Sequence, residues 1–435
     1  MLDSLIFVTI FISHIIASLN FWKKLKNGYI PAMTDFATIS IILFYDIGLT
    51  LEWLGLPYES QYFRPALGQS GILTPFEYVV LILAPWLLQF GSFLIKYAIR
   101  RKAGMCSILI TLSGYRKWLF YALATLLCAI LITLVVPLLY QIAKGIPIWI
   151  TRKQIGVSWG PLIILFYLPL GFLAFYLTKD KYNNNKKYLF SIFLAISAAL
   201  ISLPIGQRTN VLLPFLMLGL FGVKLNIRRL ILIGIVFIVL AAGMLSVFKW
   251  QYSSESNNFV DFVKHVVYGD FYRIPVITSA FESSEWIGSK ILPYPMSGYV
   301  YNIFFYIPRK IAPFKGYSTA SYFTSYLVGS DASEIHWGFG FGLVEELALN
   351  MGLLSVIPGL IMWGILMGLL DKLSSRVPAI TVPSRLAGVW LIGYHLAAIL
   401  LVFGSMAIIA IILQILFTDK RKLSAKSKYF YTTSL

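Results

Sequence analysis

The chain alternates between long apolar runs and short polar connectors up to residue 248, and then its character changes. Helix-length apolar runs cover 3–21, 31–56, 75–98, 118–143, 161–178, 188–204, 211–223 and 230–248. Residues 249–338 hold Glu255, Asp261, Asp270, Glu282, Glu285, Asp331 and Glu334, seven of the 18 acids in the chain, and cannot lie in lipid. Apolar runs resume at roughly 350–370, 386–401 and 404–417. About twenty apolar residues span a bilayer as a helix. A backbone in lipid must satisfy its own polar groups, so spans are helices or closed barrels, and runs of this length favour helices over the short alternating strands of a barrel. The pattern predicts an all-α polytopic membrane protein with about eleven transmembrane helices and one large loop between late helices. Residues 1–248 carry the first eight helices, 249–338 the loop, and 339–435 the last three helices and a basic tail.

Four local features refine this picture. The run 386–417 has 32 residues. As one helix it would be about 48 Å long against a core of about 30 Å, so a turn at Phe403-Gly404-Ser405 is expected to split it. The run 211–223 has 13 residues. It makes about 20 Å of helix and needs thinned lipid or a protein-lined setting. Residues 103–115 are apolar, too short to span and flanked by basic clusters, which fits an interfacial helix. Residues 339–370 are compatible with one long helix. Only its second half is needed to span, which places Glu345 and Glu346 just outside the hydrocarbon. No internal repeat and no soluble domain with its own core is evident.

Composition agrees with a membrane protein. The chain is 58% hydrophobic and 12% charged, where soluble domains carry about 25% charged residues. Mean hydropathy is +0.79. The net charge of +18 is distributed by topology: alternate short connectors carry 24 against 5 of the basic residues, while the large loop has seven basic and seven acidic residues. Positive charge marks the cytoplasmic side, so the N-terminus is expected outside and the C-terminus inside. The excess charge is therefore topogenic, and nucleic acid is not an expected partner. Cys106 and Cys128 are too few for a disulfide framework or a metal cluster. The four histidines lack metal-ligand spacing, and His14, His265 and His395 read as structural. The N-terminus MLDSLIFVTIF has no positive n-region and reads as a retained first span.

Three clusters could carry chemistry. Pro204-Ile205-Gly206-Gln207-Arg208-Thr209-Asn210 is a short outward connector whose arginine opposes the topogenic pattern. Arginine holds phosphate or carboxylate through a planar fork of donors; an ion-paired arginine ordering a turn is the structural alternative. In Tyr306-Ile307-Pro308-Arg309-Lys310-Ile311-Ala312-Pro313-Phe314-Lys315-Gly316 two prolines bracket adjacent cations. Proline fixes φ, so the cations are preorganised for a di-anionic group; a patch for anionic lipid is the alternative. The third runs from Glu334-Ile335-His336-Trp337 to Glu345-Glu346-Leu347-Ala348-Leu349-Asn350-Met351-Gly352. Glu346 and Asn350 share a helical face, and Glu345 points elsewhere. His336, with an ordinary pKa near 6.5, is a second candidate base; helix capping and interfacial hydrogen bonding are the alternatives. Tyr294, Tyr299, Tyr301, Tyr306, Tyr317 and Tyr322 enrich the same region, as an interfacial belt or as faces for sugar rings.

The order of these pieces resembles the O-antigen polymerases and related oligosaccharide repeat-unit polymerases. Many spans are followed by Gly206-Gln207-Arg208, then by a large outer loop with Pro308-Arg309 and Pro313-Phe314-Lys315, then by Glu346-Leu347-Ala348-Leu349-Asn350-Met351-Gly352 entering a span. Gln207 stands between Gly and Arg where the family often has them adjacent, Met351 replaces a common aromatic residue, and Phe403-Gly404-Ser405 lacks the arginine usual between the last spans. The resemblance implies an inverting, cofactor-free and metal-independent glycosyltransferase with a GT-C-like fold in the bacterial inner (cytoplasmic) membrane, its large loop periplasmic. It implies undecaprenyl-pyrophosphate-linked oligosaccharide substrates, with a flippase and a chain-length regulator as partners. Glu346, His336, Arg208 and Arg309 are then the catalytic candidates. Arg273, Lys310, Lys315, Asn350 and Asn210 are the substrate-binding ones. An O-antigen ligase uses the same donor and a similar architecture. A lipid-linked oligosaccharide flippase or transporter is the reading from another class; transporters commonly carry inverted repeats, which are not evident here.

The charge pattern generates a topology test. Alkaline phosphatase fused within 249–338 is expected to be active, and fused after Leu435 inactive. Activity at the C-terminus would overturn the orientation.

Overall fold

A computed structural model describes residues 2–27, 31–54, 73–99, 114–144, 165–178, 185–203, 208–221, 273–335 and 342–417. Among them the secondary structure is helical, apart from one isolated bridge between Ser284 and Ser289. In chain order the helices are α1 (Leu2–Lys26), α2 (Met33–Ile41), α3 (Ile47–Trp53), α4 (Pro75–Ile99), α5 (Gly114–Ala143), α6 (Leu168–Leu177), α7 (Asn185–Ser202) and α8 (Arg208–Phe221). A π-helical turn, Ile42–Asp46, joins α2 to α3. The loop region contributes α9 (Ile274–Glu282), α10 (Ser297–Ile303) and α11 (Thr319–Val328). The remainder holds α12 (Leu343–Met351), α13 (Val356–Arg376), α14 (Thr381–Trp390), α15 (Leu396–Ile399) and α16 (Ser405–Phe417), the last two joined by a second π-helical turn.

Six helical stretches among the described residues are long and apolar enough to cross a membrane: Ser4–Lys24, Met33–Leu51, Pro75–Tyr97, Gly114–Ala143, Leu353–Arg376 and Leu396–Phe417. Shorter apolar helices occupy Leu165–Leu177, Leu189–Ser202 and Val211–Phe221. The chain is thus a helical, membrane-embedded protein. The expected span 230–248, residues 103–113 of the expected interfacial helix and His336 lie outside the described residues.

Helices in lipid gain nothing from hydrophobic exclusion, so small residues that let backbones approach decide which ones pack. The most extensive contact joins α4 to α13. A Cβ on Gly364 would lie 2.2 Å from the Leu88 carbonyl oxygen, and one on Gly91 would lie 2.1 Å from that of Ile361. Helix α1 runs parallel to α4, with the Ser13 hydroxyl donating to the Ile82 carbonyl (3.1 Å) and the Gln89 amide to that of Ala17 (2.8 Å). Gly388 seats α14 on Met33 of α2, and Gly171 seats α6 on Ile409 of α16. At one end of this bundle the buried charges are paired: Lys24 with Asp35, and Arg385 with Asp371. Asp371 also accepts the Met33 N–H at 3.0 Å.

Two expectations are corrected. The 386–417 run does not turn at Phe403-Gly404-Ser405. Residues 396–417 form one continuous helix, and the break falls at 391–394. That break is set by packing: a Cβ on Gly393 would meet the Phe44 ring at 2.5 Å, and the Leu391 carbonyl accepts the Leu343 N–H at 2.9 Å. The 339–370 run is not one helix either. Gly352, at φ +89°, ends α12 where the chain meets the backbone of Trp286–Gly288, an approach that a Cβ would block at 2.5 Å. Helix α12 then lies back along α13, with Leu347 against Gly359. Glu345 and Glu346 accordingly stand beside the first turns of a span rather than beyond its end.

The described part of the large loop is folded. Val276 and Ala280 of α9 and Ala320 and Phe323 of α11 form a small core that is completed by Leu349 of α12. The loop therefore shares its core with the membrane-side helix, which is why it has no independent one.

The glycine contacts predict that Gly364→Leu destabilises the fold by about 3 kcal/mol through overpacking. The thermal midpoint in detergent should fall, while Met362→Leu, on an exposed face of the same helix, should leave it unchanged.

Candidate functional site

The acidic pair that opens α12 organises the site. Both carboxylates are buried, in the first helical turn where the helix dipole favours negative charge. Glu345 Oε2 accepts the Gly342 N–H (3.1 Å), which caps its own helix, and the Tyr45 hydroxyl (2.9 Å) from the π turn after α2. Arg273, buried at the start of α9, adds an attractive charge beside Glu345 and lies 5.7 Å from the Phe44 ring. Burial raises the Glu345 pKa from its ordinary value, and those contacts oppose the rise.

Glu346 reaches more of the structure. Its Oε1 accepts from the Asn302 amide of α10 (3.1 Å) and the Thr319 hydroxyl of α11 (3.4 Å); its Oε2 accepts the Leu396 N–H at the start of α15 (2.8 Å). Asn350, one turn on, donates to Thr319 Oγ1 (3.1 Å) and to the Glu346 carbonyl (2.9 Å), and accepts the Tyr299 N–H (3.2 Å). Gly298 makes the fit possible, since a Cβ there would lie 1.9 Å from Thr319 Oγ1. Burial raises the Glu346 pKa from 4.5 to about 7, and the three donors only partly offset it.

The basic loop uses its cations in two ways. Lys315 is buried and donates to the carbonyls of Phe304 (3.1 Å), Phe305 (3.2 Å) and Ile307. An ammonium has three protons, and three carbonyls take them. Lys315 is therefore a brace that closes the loop, which corrects its expected contact with substrate. Arg309 is exposed; its Nε donates to the Gly316 carbonyl (3.1 Å), and its guanidinium lies 3.8 Å from the centre of the Tyr317 ring. No ion pair engages Arg309 among the described residues. Lys310 is exposed beside it. Tyr306 fastens the loop to the last span through hydrogen bonds to the Leu400 carbonyl and to Ser405 Oγ (3.4 Å). Helix α10 joins the two halves of the site: Asn302 binds Glu346, and Tyr301 is reached by the Arg309 charge.

The structure thus brings Glu346 and Asn350 together, and ties them to Arg309 through α10. Arg273 belongs to the Glu345 cluster. Arg208 and Asn210 lie in the first turn of α8, and their side chains fall outside the described residues. Tyr45, Asn302, Thr319 and Tyr317 were not singled out from the sequence, and nothing local marks them. Glu345 carried a signal, its adjacency to Glu346. His395 caps α15, its Nδ1 accepting the Ala398 N–H at 3.2 Å. Among the described residues no group of three or more histidine, cysteine or acidic side chains is placed to hold a metal ion. Comparison with protein-family models, with curated proteins and with solved structures finds no match.

The raised Glu346 pKa has a signed consequence. Between pH 5 and 7 the folded state keeps a proton that the unfolded chain has released, so stability falls as pH rises, by about 3 kcal/mol over the whole interval. Glu346→Gln should flatten that slope, read as the urea midpoint of the protein in detergent against pH. An unchanged slope would place the proton elsewhere.

Proposed function

We propose that this protein is a membrane glycosyltransferase that polymerises undecaprenyl-pyrophosphate-linked oligosaccharide repeat units at the periplasmic face of the bacterial inner membrane. The observation that carries the reading is Arg309. It is an exposed guanidinium without an acidic partner among the described residues, stacked on Tyr317 in a loop that Pro308, Pro313 and the Lys315 brace hold rigid. A cation so oriented suits the charge that develops on a departing lipid pyrophosphate as the anomeric C–O bond breaks. Positioned donors of this kind are worth about 10²–10³-fold in rate.

Glu346 supplies the second element. Removing a proton from an acceptor sugar hydroxyl requires a base whose pKa lies near the working pH, and burial brings Glu346 to about 7. Its contact with Thr319 is the longest of the three, so an incoming hydroxyl takes the place of that donor with least loss. Asn350 then orients Thr319 beside it. The large loop and the last spans, tied together at Tyr306, give a donor anchored in lipid and an acceptor at the loop a common meeting place.

Arg309→Ala is expected to abolish polymer while the protein remains in the membrane. Arg309→Lys should restore little, because a point charge cannot reproduce the planar fork. The assay is a ladder formed by purified protein with lipid-linked repeat units. Normal ladders from Arg309→Lys would refute the pyrophosphate role. Transfer to a different acceptor without a ladder would identify a ligase.

A further inference from the structure

A second polar site lies inside the bundle, away from Arg309 and Glu346. His14 of α1 and Asp46, at the end of the π turn after α2, are both buried and face each other with Nδ1 and Oδ1 2.6 Å apart. His14 Nε2 is 2.8 Å from the Leu81 carbonyl of α4. A carbonyl only accepts, so Nε2 carries a proton. The remaining proton of the pair is shared between Nδ1 and Oδ1. It can rest on either atom, giving imidazolium with carboxylate or imidazole with carboxylic acid. The pair is neutral overall in both states.

The other oxygen of Asp46, Oδ2, is buried and has no hydrogen-bond partner among the described residues. In both states of the pair Oδ2 keeps its lone pairs and no proton. A buried polar atom without a partner is rare and calls for a cause. One stands beside it: Asp46, with Phe11, Ile42, Ile47, Thr50 and Leu51, lines a cavity of about 200 Å³ that is otherwise almost entirely apolar. Thr50 does not fill the gap, because its hydroxyl donates to the Asp46 backbone carbonyl (2.6 Å). Phe11 of the cavity wall is partly exposed on the flank of α1, where lipid lies. Single π turns recur at functional sites, because the extra residue re-aims side chains. Ionisable groups inside the membrane are costly and commonly mark a site.

The geometry points to a ligand site for a neutral hydrogen-bond donor on an apolar chain, an aliphatic alcohol, with its hydroxyl on Asp46 Oδ2 and its first carbons in the Phe11–Ile47–Leu51 cavity. The requirement for a donor follows from Oδ2, which can only accept. Neutrality follows from the pair, since a cation would leave a net charge in a low-dielectric site. The size excludes a whole drug-sized molecule, for which sites run to several hundred Å³.

The test uses the full-length protein in nanodiscs and a diazirine-bearing octanol, with labelled residues mapped by mass spectrometry. Labelling is expected on α1 and the segment 42–51. Octanol should compete about tenfold better than octyl methyl ether of matched chain length, the worth of one hydrogen bond to such a group. Ile47→Trp, which fills the cavity, should remove the label, and Asp46→Leu should abolish the preference for octanol. Equal competition by the ether, the result if water alone satisfies Oδ2 and lipid chains fill the cavity, would overturn the site. So would labelling that survives Ile47→Trp, or no labelling of these helices in the unmodified protein.

Discussion

A buried carboxylate at the start of a short helix holds the functional end of this molecule together. Glu346 accepts from α10, α11 and the N-terminus of α15, and thereby fastens the folded outer loop to the last span. Each donor comes from a different element, so no pair of them closes without the third. The cost of burying the carboxylate appears as a pKa raised to about 7. The same group that organises the architecture is thus the one whose proton is most easily exchanged near neutral pH.

The two ends of the bundle treat charge differently. At one end Lys24, Asp35, Asp371 and Arg385 are paired among themselves and with backbone, as lipid-embedded charge must be. At the other, Arg309 presents a guanidinium on an aromatic face with no acid engaging it among the described residues. Lys315 sits six residues later in the same loop and is consumed by three carbonyls. One cation builds the loop so that the other is held in place. Preorganisation of that kind costs nothing at the moment of reaction, which is the physical reason that such arginines stabilise developing charge well.

The π turn after α2 gives the interior a second point of chemical interest. Consecutive residues point opposite ways from it: Tyr45 donates to Glu345 on the loop side, and Asp46 meets His14 on the α1 side. The intramembrane pair and the acidic pair of α12 are therefore separated by one peptide unit, although they face different surroundings.

Much of the architecture was legible in one dimension. The long apolar runs marked the membrane helices because a bilayer imposes a length, and alternating basic connectors marked sidedness because positive charge crosses it poorly. The spacing of Glu346 and Asn350 put them on one helical face, and the prolines around Arg309 announced a stiff loop. What the sequence could not supply was whatever depends on residues hundreds of positions apart. Gly393 ends a helix because Phe44 occupies the space of its missing side chain. Gly352 breaks another because the backbone of Trp286–Gly288 passes there. Lys315 and Arg309 look alike in the sequence; only the fold delivers three carbonyls to one and an aromatic face to the other. Hydrophobic period and charge are local properties, and read directly. The partners of a buried polar group are chosen by packing, and exist only once the chain has closed upon itself.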